Sequence, residues 1–502
     1  MSASTSASAQ SWVEGPDAAQ STAPLPPAVA PRDGEPGQAP PSEVLVVPPV
    51  PPEDVRVDVG VGADVNALAA FVADTRSFRF TSVVDRRALS TQSALDLDTA
   101  LANGLLTGLW WVPTSSGASL PAARGHVGGG VGVVVDGVPL LGNDFGVSIA
   151  PTEILGLYSA ATMTARLGPQ SFTPSLSPLG GVIDVDTGGP MTRLGETMRV
   201  DGLVAAGSGG ADGESGGGAV ARTGWRTMRV MANGAFLVRA DQRPGRLTLG
   251  LPPTQQSTDL LVGSGGSGGT LGARVDTAPL PQSRLFVSWL AGRSIDTPTP
   301  GRCGFVDEVG RAVDCVRARE RGADVAIVGA DIARDVGDGV TVVPTARVYL
   351  QRALMVEERS GRGVNSVDLA ADEVFRGGVV LGASATSATP LFFDLRPRLE
   401  VMLDANADRA SSTFASRSLR SQDGAPRGDG VVDDGRARSV DGATANTGAL
   451  RARLQLQGEL FGVEAATRLL GQSVNAPEVA ASNNADSVPR GAVDTFDIAP
   501  SV

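Results

Sequence analysis

Lysine is absent from this chain of 502 residues, so all 42 of its basic residues are arginine. Together with the abundance of Ala, Gly and Val, this reads as a GC-rich coding bias and carries no function by itself. Binding nucleic acid requires a basic face to neutralise phosphates, and a net charge of −12 argues against it. Cysteine occurs only twice, at Cys303 and Cys315, and the single histidine, His126, lies far from both. A tetrahedral zinc site therefore lacks ligands. A helix crossing a bilayer needs about 18 or more consecutive apolar residues, and no such run is present. Any insertion into a membrane must then be through a closed barrel, the other structure that satisfies its backbone in lipid. What the chain has in quantity is 64 Gly and 34 Pro, with 42% hydrophobic and only 4% aromatic residues. Many short segments separated by turns favour β structure over long helices.

Three regions follow from the texture: 1–54, 55–190 and 191–502. The first holds 12 prolines within residues 16–52, which excludes helix and central strand and predicts an extended, disordered linker. One apolar run interrupts it, Val44, Leu45, Val46 and Val47, bounded by prolines and able to add as a strand to the edge of a partner's sheet. A hydrophobic patch in a disordered linker is the alternative. The opening residues lack a basic start and an apolar core, although Ala7-Ser8-Ala9 has the small-residue form of a cleavage site. Either the start is misplaced or nearly mature, or the chain begins as a cytosolic protein with a Ser-rich tail.

Residues 55–190 read as a compact α+β unit. Aromatic and β-branched residues at 78–84 predict a strand, Asp85 opens a helical stretch, and Leu97, Ala100, Leu101, Gly104 and Leu105 share one face of a second helix over 96–106. Arg124-Gly125 then precedes a strand over 131–135 and the turn signal Asp136-Gly137, where Gly accepts a positive φ. Further on, Arg166, Gly168 and Pro169 lead to Gly180-Gly181 and the apolar strand after them. In this order the segment resembles the plug domain of TonB-dependent outer-membrane receptors: VVVDGVPL matches the family's strand and tight turn, and the Arg-Leu-Gly-Pro to Gly-Gly-Val-Ile-Asp-Val stretch matches the end of its plug. Leu167 interrupts the Arg-Gly pair, and Pro174 and Pro178 stand where the family has a Tyr-Gly stretch.

After residue 190 the pattern changes to alternation. Leu450, Ala452, Leu454, Leu456, Gly458 and Leu460 alternate with Arg451, Arg453, Gln455, Gln457 and Glu459. Phe393, Leu395, Leu399, Val401 and Leu403 alternate with Asp394, Arg396, Arg398 and Glu400. Such runs suit the ~9–11 residues of a tilted strand crossing a bilayer; a soluble antiparallel sheet with one wet face gives the same pattern. The resemblance implies the first. The expected fold is thus a disordered Pro-rich N-terminus, an α+β plug and an antiparallel transmembrane β-barrel. About a dozen strands are predicted, too few for the family's plugged barrel of ~22, so the barrel is truncated, divergent or smaller. The final residues carry no terminal aromatic, and few aromatics are left for interfacial girdles. The Gly-rich and acidic segments at 207–218 and 421–441 are expected to be external loops, and the Gly-Ser run at 263–269 a flexible loop rather than a phosphate site, since no Lys follows it.

The resemblance implies a transporter in the cell outer membrane, not an enzyme, that takes up an iron chelate, a cobalamin or a glycan, with Val44 to Val47 as the TonB box engaging an inner-membrane energy-coupling protein. Membrane lipid is the other partner, and no cofactor is implied. A degenerate, non-transporting binding or scaffold protein is the rival. Cys303 and Cys315 would form a local disulfide in an envelope-exposed loop or remain two thiols. Asp429, Asp433 and Asp434 could hold Ca²⁺ or simply form a solvated loop. A Ser-His-Asp triad could use only His126, and Asp186-Thr187-Gly188 has the form of an aspartic-protease motif without a second copy; a plug loop and a strand end are the plain readings.

Overall fold

The computed structural model describes the chain from Thr81 to Ser501 except residues 91–96, 98–100, 102–105, 107, 114–118, 128–129, 143–148, 157, 169–178, 189–198, 210–211, 226, 240–265, 281, 299–304, 307–311, 314, 361–365, 391–394, 419–431, 434–441, 459–461 and 477–490. The expected box at Val44 to Val47, Pro169 and Cys303 lie outside the described residues, as do Asp429 and Asp434.

A small mixed sheet comes first. It has the order β1 (Thr81–Asp85), β7 (Thr162–Leu167), β8 (Gly181–Asp186), β5 (Val131–Val135) and β6 (Val138–Pro139). Only β5 and β8 run parallel. Helix α1 (Arg86–Ser90) follows β1 directly, and the Ala88 amide donates to the Asp85 carboxylate at 2.7 Å, so the acidic residue caps the helix as its position suggested. Beside this sheet a second one is built from β2 (Trp110–Pro113), β3 (Ser119–Ala123) and β4 (His126–Val127), and α2 (Pro151–Ile154) sits between β6 and β7 in sequence. Leu89, Leu97, Leu101, Leu106, Met163 and Ile183 form its core, each at most 2% exposed.

The second part is a long antiparallel wall. Twelve strands pair in chain order: β9 (Arg199–Gly209), β10 (Asp212–Trp225), β11 (Met228–Arg239), β12 (Gly266–Thr277), β13 (Ser283–Pro298), β16 (Cys315–Ile332), β18 (Val340–Ser360), β19 (Ser366–Ser387), β20 (Arg396–Ser418), β22 (Thr444–Gln457), β23 (Gly462–Ala476) and β24 (Gly491–Ser501). The hairpin β14 (Phe305–Val306) and β15 (Ala312–Val313) stands apart, while β17 (Arg334–Asp335) and β21 (Val432–Asp433) add short pairings to β18 and β20. Two loop assignments are overturned. Residues 207–209 and 212–218 lie in β9 and β10, and 266–269 open β12. Glycine is tolerated there because the ladder partners on both sides supply the order that side chains would otherwise give.

The ladder register fixes which side chains share a face. Reading across β13, β16, β18, β19, β20, β22 and β23, one row is Leu285, Ala330, Ala346, Leu381, Leu403, Leu450 and Leu469. The next row is Val287, Val328, Val348, Val379, Ala405, Gly448 and Gly471. The leucines of these rows and Val287, Val328 and Val348 are exposed and the others half-buried, whereas intervening positions on the opposite face carry Arg376, Asp408, Asp404, Glu400, Arg451 and Arg453, all buried. Polarity is therefore inverted relative to a soluble sheet, with charge inside and aliphatic residues outside. Exposed apolar residues aligned across seven neighbouring strands are unusual on a soluble monomer, and they are the arrangement a lipid-facing strand requires. Along β20 the apolar outward run from Leu399 to Ala407 covers about 30 Å of strand at ~3.4 Å per residue. With a tilt of ~40° that spans roughly the ~25 Å band of an outer-membrane barrel. The alternation expected from the sequence holds from Leu399 to Leu403 but fails at Leu395, which is buried just before β20 begins.

Candidate functional site

The small sheet seats against the charged face of the wall, chiefly through three sets of contacts. At the Asp136-Gly137 turn both residues have positive φ, 51° and 83°, as a two-residue turn of the primed type requires. The Asp136 carboxylate accepts from the Thr187 amide at 2.9 Å and the Thr187 hydroxyl at 2.7 Å, and pairs with Arg274 of β12 at 2.7 Å. Arg274 continues to Asp276 at 3.0 Å, which Arg229 and Arg284 also reach at 2.8 and 3.0 Å. Arg284 lies 3.5 Å from Asp186 as well. Arg347 of β18 donates to the Asp136 carbonyl at 2.9 Å and pairs with Asp331 at 2.5 Å. The guanidiniums of Arg274, Arg347 and Arg284 surround the Phe286 ring at 4.1, 4.9 and 5.4 Å from its centre. Four arginines thus face four aspartates, three of the arginines lying over one aromatic ring, so buried charge is compensated within the cluster.

The second contact is a backbone bridge. Gln351 of β18, 2% exposed, donates its side-chain amide to the Pro139 carbonyl at 2.6 Å and accepts from the Leu141 amide at 2.7 Å. A side chain of the wall thereby satisfies both backbone groups flanking Leu140. The third contact is made by α2, where Glu153 accepts from the Ala150 amide at 2.7 Å and forms an ion pair with Arg321 of β16. Burial holds the Glu153 carboxyl above the usual carboxylate range, outweighing the pull of Arg321. The Glu153 carbonyl passes so close to β13 that only glycine fits at Gly292. Nearby, the Ser159 hydroxyl donates to Asn233 of β11 at 2.7 Å.

Comparison with solved structures follows from this arrangement of a small α+β sheet inside a charged wall face. The copper transporter OprC superposes with a TM-score of 0.62 at 14% identity, covering 84% of this chain and 61% of its own. The ferric citrate transporter FecA, unliganded, gives 0.58 at 11%, covering 84% and 59%. The ferripyoverdine receptor of the outer membrane of Pseudomonas aeruginosa gives 0.56 at 11%, covering 84% and 54%. The fold is that of the TonB-dependent receptors. The chain spans about three fifths of the length of the first two of these structures. No protein-family model and no curated protein sequence matches it.

In this receptor fold the small sheet is the plug and the long sheet the barrel wall. The motif residues gather at two ends of the plug sheet. At one end, Arg124 and Gly125 turn the chain between β3 and β4, Gly168 donates to the Gly180 carbonyl at 3.0 Å, and Gly180 to that of Gly130 at 2.9 Å. Arg166, near the end of β7, pairs with Asp184 of β8 there, and Gly181 begins β8 beside Leu167. At the other end, Asp136 and Gly137 meet the wall. Cys315 begins β16, and Asp433 lies in β21. His126 stands in β4, and Asp186 faces Arg284 rather than a second carboxylate. No group of His, Cys, Asp or Glu suited to a metal ion occurs among the described residues.

The wall's half of the interface escaped the reading of the sequence. Arg274, Arg321, Arg347, Gln351 and Gly292 look like ordinary members of alternating strands. The three arginines carried a signal only in lying on the polar side of the alternation, and Gln351 and Gly292 carried none.

Proposed function

We propose that the chain is an energy-coupled receptor of the outer membrane, admitting a scarce ligand when a TonB-type inner-membrane protein pulls on residues 44–47. The observation that supports this reading is the plug's attachment. It is held by hydrogen bonds and ion pairs from wall side chains to side chains and loop backbone groups of the plug, so a displaced plug can exchange them without either sheet unravelling. Copper, ferric citrate and ferripyoverdine belong to the named neighbours; for this chain an iron chelate, a cobalamin or a glycan is the proposed class of ligand. Deleting residues 43–48 should abolish energy-dependent uptake while leaving the amount of protein in the outer-membrane fraction unchanged, and undiminished uptake would sink the proposal.

A second reading, a non-transporting binding or scaffold protein of the envelope, is favoured by the twelve-strand wall, in which β9 and β24 each pair with one neighbour among the described residues. Ligand binding without uptake, in a protein that shows heat-modifiable mobility on a gel, would select it. A fully active protein extracted without detergent would reject both.

A further inference from the structure

The outward face of the wall changes character one row above its apolar band. The row Trp289, Ala326, Leu350, Gly377, Ala407 and Asn446 is followed by Ala291, Asp324, Arg352, Phe375, Arg409 and Thr444. This change lies toward the end where the strands are joined by the longer connections, such as 240–265 and 419–431. The small residues Gly377 and Ala407 leave a recess of about 580 Å³, walled by Trp289, Leu350, Phe375 and Arg409. Leu350, Phe375 and Trp289 are 66%, 49% and 42% exposed, so its apolar walls are open to whatever surrounds the barrel.

Charge at the recess is not balanced. Arg352 is held by Glu373 at 2.5 Å with its guanidinium 5.7 Å from the Phe375 ring centre, and Arg293 by Asp324 at 2.7 Å. Arg409 stands directly opposite Phe375 in the ladder and is exposed, and its side chain has no ion pair or hydrogen bond among the described residues. On the inner face the neighbouring pair Arg376 and Asp408 is joined by two hydrogen bonds of 2.7 and 2.6 Å, which holds the β19–β20 register that sets Arg409 across from Phe375. An unpaired cation at the rim of an apolar recess complements an amphiphile with a negative head.

We propose that this recess binds a phosphate-bearing lipid of the surrounding membrane. The phosphate sits on the Arg409 guanidinium, and the first acyl carbons lie along Leu350, Gly377 and Ala407. The proposal rests on the reading of this face as lipid-facing, and it adds a specific lipid site to it. Native mass spectrometry of the full chain in detergent, titrated with short-chain phosphatidic acid, tests it; Arg409→Gln should weaken binding about tenfold, the effect of losing one charge-assisted contact. Gly377→Leu, which fills the recess and leaves the cation, should weaken it too. Diacylglycerol and inorganic phosphate should each bind far more weakly than the phospholipid. Equal binding of phosphatidic acid by the parent and Arg409→Gln chains would overturn the proposal, as would diacylglycerol or phosphate alone matching the phospholipid. Heat-modifiable mobility of the same samples reports the barrel separately, so a lost lipid site and a failed membrane reading give different results.

Discussion

The backbone carbonyl of Glu153 lies 1.6 Å from where a β-carbon on Gly292 would stand. Plug and wall approach backbone to backbone at this point, and neither partner can yield by rotating a side chain. Gly292→Ala should therefore unseat α2 rather than merely crowd it, at a cost above the ~1–3 kcal/mol of ordinary overpacking. Gly448→Ala is the control, because a β-carbon there meets nothing within 4 Å. Faster amide exchange at residues 150–155 in the first variant and parent-like exchange in the second is the expected pattern; equal behaviour would show that the plug seat adapts.

Gln351 supplies what the Leu140 segment lacks, one donor and one acceptor for buried backbone groups. Gln351→Leu preserves the volume and leaves the Pro139 carbonyl and Leu141 amide unsatisfied, each at ~1–3 kcal/mol when buried. Gln351→Glu keeps the acceptor and loses the donor, so it should disturb the Pro139 side alone. Denaturant unfolding monitored in the plug is expected to rank the variants parent, then Glu, then Leu; a Leu variant as stable as the parent would mean that water replaces the bridge.

Asp136 is the only plug carboxylate within ion-pair distance of Arg274 among the described residues. Asp136→Asn leaves Arg274 with Asp276 as a remaining carboxylate partner, so its cost should fall below the ~3–5 kcal/mol of a buried charge left with none. Combining it with Arg274→Met should cost less than the sum of the two single changes. The double-mutant cycle measures the coupling, and strictly additive losses would show that the two residues do not act as a pair.

How much of this was legible depends on which link of the chain carried the signal. Asp136-Gly137 announced its turn because only certain residues accept positive φ at both central positions. The Leu450 to Gln457 alternation announced a strand with one wet and one apolar face, but not which face is inside; Arg451 at 1% exposed and Leu450 at 44% give the inverted answer. Gly213 to Gly218 misled, since a run of glycine has no local preference for strand and is ordered by β9 and β11 on either side. Gly292 gave no sign, because a close approach between segments 139 residues apart in number has no local trace.

Glu153 makes the plug seat sensitive to pH, with a definite sign. Its folded-state pKa is raised by burial above the ordinary carboxylate value, so the folded protein binds this proton more tightly than the unfolded chain does. The associated stability is fully present below the unfolded carboxylate pKa and is lost as pH rises through the raised folded value. Glu153→Gln imitates the protonated form and retains an acceptor for the Ala150 amide, so it should remove this pH dependence and resemble the parent most closely in acid. Amide exchange at residues 150–155, corrected for intrinsic rates and followed upward from the carboxylate range, should show the parent seat loosening with pH and the Gln variant unchanged. A parent seat that tightens as pH rises would mean that Arg321 holds the carboxylate ionised despite its burial, and that the ion pair, not the proton, secures α2.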